Sequence, residues 1–119
     1  WDVSCFLHRL TMTHARRWRR TTQTLGQGQV YQGRFKARPI FTERHYFNVL
    51  RYIEQNPVRA NLVQRCQDWQ WSSLAERLGN GRGILDPDPV GVPMGWLEIV
   101  EAPLPQNDAQ EIRSSLRRY

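Results

Sequence analysis

The order of apolar and polar positions divides the chain into segments of different period. In "DVSCFLHRLTMTHARRWRR", residues 2–20, Val3, Phe6, Leu7 and Leu10 recur at i, i+3, i+4 and i+7. That spacing is one face of a helix, with Asp2 or Ser4 as its cap. "TLGQGQVYQG" follows, where Gly26, Gly28 and Gly33 mark turns. The period then shortens to two. "RFKARPI", residues 34–40, puts Phe35, Ala37 and Pro39 on one side and Arg34, Lys36 and Arg38 on the other. This predicts a strand with a cationic face, held to a sheet edge or a strand end by Pro39.

The clearest helical pattern is "FTERHYFNVLRYIEQN", residues 41–56. Thr42 serves as cap, Glu43 suits the first turn, and Tyr46, Val49, Leu50 and Ile53 form the apolar stripe. "NPVRANLVQRC" reads as a restart, with Asn56 as cap and Pro57 at the first helical position. Val58, Leu62 and Val63 are placed to bury against the preceding helix. Further on, Trp69 and Trp71 precede a capping box, Ser73 to Glu76, and a short helix ending near Gly79. The Pro/Gly-rich "GNGRGILDPDPVGVPMG", residues 79–95, reads as a mobile surface connection. "WLEIVEAPLP" adds a short extended or helical piece, and "NDAQEIRSSLRRY" a final helix capped by Asn107.

Charge changes this picture. A chain of 119 residues holds one domain with one modest core, and its formal net charge is +6. Residues 1–60 carry eleven basic side chains against three acidic, whereas residues 61–119 carry six against eight. Every basic residue except Lys36 is arginine, the side chain that grips phosphate through paired hydrogen bonds and stacks on flat rings. Concentrated in one half, the excess points to a polyanion, nucleic acid first. Arg16, Arg17, Arg19 and Arg20 around Trp18 exceed what a helix C-terminus needs to offset its dipole. The three charges of residues 34–38 repel one another unless a phosphate backbone or solvent lies across them. Cys5 and Cys66 have no metal-ligand spacing and frame no disulfide scaffold. No apolar run reaches membrane-spanning length, so a soluble, cytoplasmic protein without a membrane partner is expected.

Catalytic signatures are sparse. There is no phosphate-binding glycine loop, HExxH, nucleophile elbow or paired-carboxylate motif, and His8, His14 and His45 are scattered. What remains is the flank shared by His45, Tyr52 and Asn56, where Tyr52 and Asn56 are i, i+4 neighbours. A tyrosine hydroxyl with a pKa of about 10 is a weak nucleophile. It needs help, commonly a divalent metal that polarises a scissile phosphate. On spacing alone, Tyr52 packs beside the stripe and Asn56 is a cap.

The wording of the sequence says more. "YQGRFKARPI", then "RYIEQNPVRANLV", then "DWQWSSL" resembles the REP-associated tyrosine transposases, relatives of the insertion-sequence-200-type single-tyrosine enzymes. The order of blocks agrees, from "LTMTHARRW" to the tail "GWLEIVEAPLPQNDAQEIRSSLRR", so the resemblance spans nearly the whole chain. It implies a ferredoxin-like α+β fold and a protein that nicks and rejoins single-stranded DNA at palindromic repeat hairpins during DNA transposition. Tyr52 would form the 5′-phosphotyrosine link. Asn56, with Gln55 as a weaker alternative, would be a ligand of a divalent metal, Mg2+ or Mn2+. Arg16, Arg17, Arg19, Arg20, Arg34, Lys36, Arg38 and Arg59 would hold the DNA, with Trp18 or Tyr31 free to stack on bases.

The family's His-hydrophobic-His pair, two further metal ligands on a central strand, has no counterpart in the sequence. The chain is therefore expected to be an N-terminally truncated form, mostly helical with one or two strands and inactive alone. Residues 1–79 would be the C-terminal part of the transposase domain, and 80–119 a loop and tail helix. The alternative is an inactivated or domesticated derivative that only binds DNA.

Overall fold

The computed structural model describes residues 2–31, 33, 35 and 37–117, and the side chains of these except 116 and 117. It divides into two units, Trp1–Ala37 and Arg38–Tyr119.

The first unit is built on helix α1, Val3–Thr22. Asp2 caps it, its carboxylate accepting from the Ser4 backbone N–H at 2.9 Å. Gln23 ends it in the left-handed conformation, φ 55°, where glycine is the usual occupant. None of its residues is fully buried. The face that the structure half-covers is Leu7, Thr11, Ala15 and Arg19, an i, i+4 row. Val3, Phe6 and Leu10 from the expected stripe lie more than half exposed at 57%, 53% and 53%. The return segment after the helix meets it through Tyr31, whose hydroxyl lies 2.6 Å from His14 Nδ1.

No strand occurs among the described residues, which overturns the ferredoxin-like α+β expectation. Phe35 and residues 37–41 have no regular structure; Arg34 and Lys36 fall outside the described residues. Period-two patterning makes a strand only where another strand takes up its N–H and C=O groups. Here no described segment pairs with it, and Pro39 removes one donor in any case.

Among its described residues the second unit holds five helices. Helix α2, Glu43–Glu54, starts at Thr42, whose Oγ1 accepts from the His45 N–H at 3.2 Å. Helix α3, Asn56–Arg59, follows at once with Pro57 in its first turn. It closes in a Schellman motif: Asn61 takes φ 55°, Leu62 N–H donates to the Pro57 carbonyl at 2.9 Å and Asn61 N–H to that of Val58 at 3.0 Å. A 3-10 turn, Cys66–Asp68, leads to α4, Ser73–Arg77. The cap of α4 is Ser72, not Ser73. Helices α5, Trp96–Glu101, and α6, Gln106–Arg117, complete the unit; α6 begins before Asn107, so Asn107 does not cap it.

The core joins Cys66, Leu74, Trp96 and Val100, with Phe47, Leu50 and Val58 packed against it. Helix α2 thus turns the row Phe47, Leu50, Glu54 inward. Ile53, expected in the stripe, is 53% exposed, and Glu54 is fully buried in its stead. The loop before α5 is tied down as well. Asp88 accepts from the Tyr46 hydroxyl at 2.6 Å and pairs with the Arg77 guanidinium, so residues 80–95 are anchored at their middle.

Candidate functional site

The corner between α2 and α3 is the site that the sequence singles out, and the structure gives each of its polar residues a partner. Tyr52 sits half-buried on the flank of α2, one turn before Asn56. The Arg59 guanidinium carbon lies over the Tyr52 ring, 3.8 Å from its centroid. From there Arg59 Nη2 donates to the Tyr52 backbone carbonyl and, at 2.7 Å, to Asn56 Oδ1. The three side chains form one cluster, because the backbone stays helical from α2 through Gln55 and Pro57 into α3 and puts residues 52, 56 and 59 at i, i+4 and i+7 on one face. Burial lowers the Arg59 pKa and the neighbouring Tyr52 phenol opposes that shift, as expected for a cation partly withdrawn from water.

Gln55 faces elsewhere. Its amide nitrogen donates to the carbonyls of Val100 at 2.6 Å and Ala102 at 2.8 Å. Arg51 adds a bond to the Ala102 carbonyl at 3.2 Å. Together they satisfy carbonyls at the C-terminal end of α5, which a helix cannot pair internally. Gln55 is a structural clamp between α2 and α5.

These contacts test the divalent metal that the resemblance implies. Asn56 Oδ1 is occupied by a guanidinium, and a cation coordinated there would sit against the Arg59 charge. No group of three or more His, Cys, Asp or Glu side chains suited to a metal gathers among the described residues. The corner as folded does not fit a metal ion.

The remaining sequence-picked residues separate by unit. Arg16, Arg17, Arg19 and Arg20 lie on the last turns of α1 in the first unit, Arg19 half-buried and the others exposed. Arg38 is exposed at the start of the second unit. Arg34 and Lys36 lie outside the described residues, so the basic face expected over 34–38 is described only at Arg38.

Glu54 is the residue that periodicity passes over. Its fully buried carboxylate accepts from Ser73 Oγ, from Trp96 Nε1 at 2.8 Å and from Arg77 Nε at 3.4 Å. It ties α2 to α4 and α5, two residues along the chain from Tyr52. The available signal was its register: Glu54 stands four residues after Leu50, on the inward row. Among the described residues no helix is long and apolar enough to cross a membrane. Compared with protein-family models, with curated proteins and with solved structures, the chain matches none.

Proposed function

We propose that the chain is a DNA-binding protein of the REP-associated tyrosine transposase type, acting in the cytoplasm on single-stranded hairpins in DNA transposition. Tyr52 is the residue that takes the scissile phosphate. The wording of residues 51–63 and the arginine excess support this reading. The observation that carries it is the Arg59 guanidinium set against the Tyr52 ring at 3.8 Å. Beyond its bonds to the Tyr52 carbonyl and Asn56, a guanidinium keeps further N–H donors that suit phosphate oxygens. In the transfer, Tyr52 Oη bonds to phosphorus and the bond to the neighbouring nucleotide's 3′ oxygen breaks. The phenol's proton ends on that oxygen, leaving a 3′-hydroxyl strand and a 5′-phosphotyrosine.

The bond from Arg59 to Asn56 favours a second reading, a derivative that binds DNA without cutting it. A denaturing gel of the chain with a labelled single-stranded hairpin separates the two. A covalent adduct that Tyr52→Phe abolishes supports the nucleophile. Retention on a native gel with no adduct supports the binding-only form and overturns the role of Tyr52. An adduct that persists in Tyr52→Phe overturns it too, and a chain that binds no hairpin overturns both readings.

A further inference from the structure

The first unit carries a groove between the second half of α1 and the segment that returns along it, with a volume of about 510 Å³. Small-molecule sites span about 300 to 1,000 Å³. On α1, Met12, Arg16 and Arg20 stand at i, i+4 and i+8, one above the other on a single face, with Arg19 beside them. The return segment brings Leu25 and Val30 into the same groove. Its lining is therefore aliphatic in one part and cationic in the other.

Both parts lack a counterpart within the unit. Met12, Leu25 and Val30 are 44%, 71% and 36% exposed, so their hydrocarbon faces water that an apolar ligand would displace. Among the described residues no ion pair engages Arg16, Arg19 or Arg20, and Arg19 Nε is buried with no hydrogen-bond partner. A guanidinium donor withdrawn from water in this way is costly, and a negative charge beside it offsets the cost. Asp2 is the only acidic residue in the sequence of residues 1–37. It caps the opposite end of α1, about 25 Å from Arg19 at 1.5 Å per residue. The dipole of α1 supplies about half a negative charge at its C-terminal end, far less than three guanidinium groups carry.

An open aliphatic lining beside three uncompensated cations matches one ligand chemistry, an anionic head on a hydrocarbon chain. A nucleotide supplies the charge, but its polar base edges gain nothing from Met12, Leu25 and Val30. A bilayer supplies charge and hydrocarbon over a flat surface, whereas this groove is concave. We propose that the groove binds a single acyl-chain carboxylate, its head held by Arg16, Arg19 and Arg20 and its chain laid along Met12, Leu25 and Val30. The inference goes beyond the DNA reading and stands without it, because the two share arginines but not the aliphatic lining.

Isothermal titration of the full chain with decanoate below its micellar concentration tests it, beside acetate as the head alone and decyltrimethylammonium as the chain with the opposite charge. Decanoate is expected to saturate one site per chain, with both controls weaker on the order of tenfold or more. Leu25→Ser and Arg16→Ala should each weaken decanoate on the order of tenfold and leave the helical circular dichroism signal unchanged. Acetate or decyltrimethylammonium binding as tightly as decanoate overturns the site, and so does unchanged affinity in Leu25→Ser. Phosphatidylglycerol vesicles that capture the chain while decanoate fails to titrate would move the contact to a bilayer surface and overturn the single-chain site. Oligothymidylate binding that Leu25→Ser weakens as much as Arg16→Ala would give the groove to nucleic acid instead.

Discussion

Arg59 covers the ring of Tyr52 at 3.8 Å and binds Asn56 Oδ1 at 2.7 Å, so the tyrosine and the amide one turn away are linked through a cation. That linkage has a measurable energy. In a double-mutant cycle of Tyr52→Ala and Arg59→Ala, urea unfolding should give a coupling of about 0.5 to 2 kcal/mol, the range for a guanidinium on an aromatic face. Additive effects would show that the stacked pair contributes nothing.

The Glu54 carboxylate predicts a larger effect. It is fully buried with Arg77 and Trp96 Nε1 as partners, and its removal leaves Trp96 Nε1 and Arg77 Nε without their acceptor, while the Arg77 guanidinium keeps Asp88. Glu54→Ala should lower unfolding stability by about 3 to 5 kcal/mol, as for other broken buried pairs. Glu54→Gln, which keeps the shape and one acceptor oxygen, should lower it by less. Equal and small decreases in both variants would mean that the carboxylate does not hold α2, α4 and α5 together.

Acid should loosen the turn after α4. The Glu76 carboxylate accepts from the backbone N–H of Arg82 at 2.6 Å and Gly83 at 2.8 Å. The Arg82 bond is the foremost cause that lowers its pKa below the usual 4.5. A carboxylate depressed in the folded state binds its proton more readily when unfolded. Its contribution is therefore complete above pH ~4.5 and fades as pH falls through the lowered folded value. Amide exchange at Arg82 and Gly83, compared at equal intrinsic rate, should lose protection in that window. Glu76→Gln should remove the pH dependence; an identical acid response in the variant would contradict the assignment.

These sites show how far the sequence could be read. The existence of α1 and α2 followed from period, and Thr42 as cap from its side chain, because both are local properties. The inward row of α2 did not. Ile53 looks like core and Glu54 like surface until Ser73, Arg77 and Trp96 arrive from 19, 23 and 42 residues away. The strand over 34–40 failed for a related reason: alternation describes one chain, and a strand exists only with its neighbour. The nearness of Tyr52 and Asn56 was legible from i, i+4 spacing. The guanidinium between them was not, since it depends on the chain staying helical through Pro57 and on the rotamer of Arg59. Likewise the Arg16–Arg20 cluster announced a polyanion, but the His14–Tyr31 bond spans 17 residues and left no periodic trace.

The central claim, that this chain grips DNA through its arginines, is tested most directly by hairpin affinity across a salt series. The logarithm of the association constant should fall linearly with the logarithm of salt concentration. For the Arg16→Ala, Arg20→Ala double variant the slope should be shallower by about 1.5, near 0.7 to 0.9 for each phosphate no longer neutralised. Binding that ignores salt, or a double variant with an unchanged slope, would contradict the account.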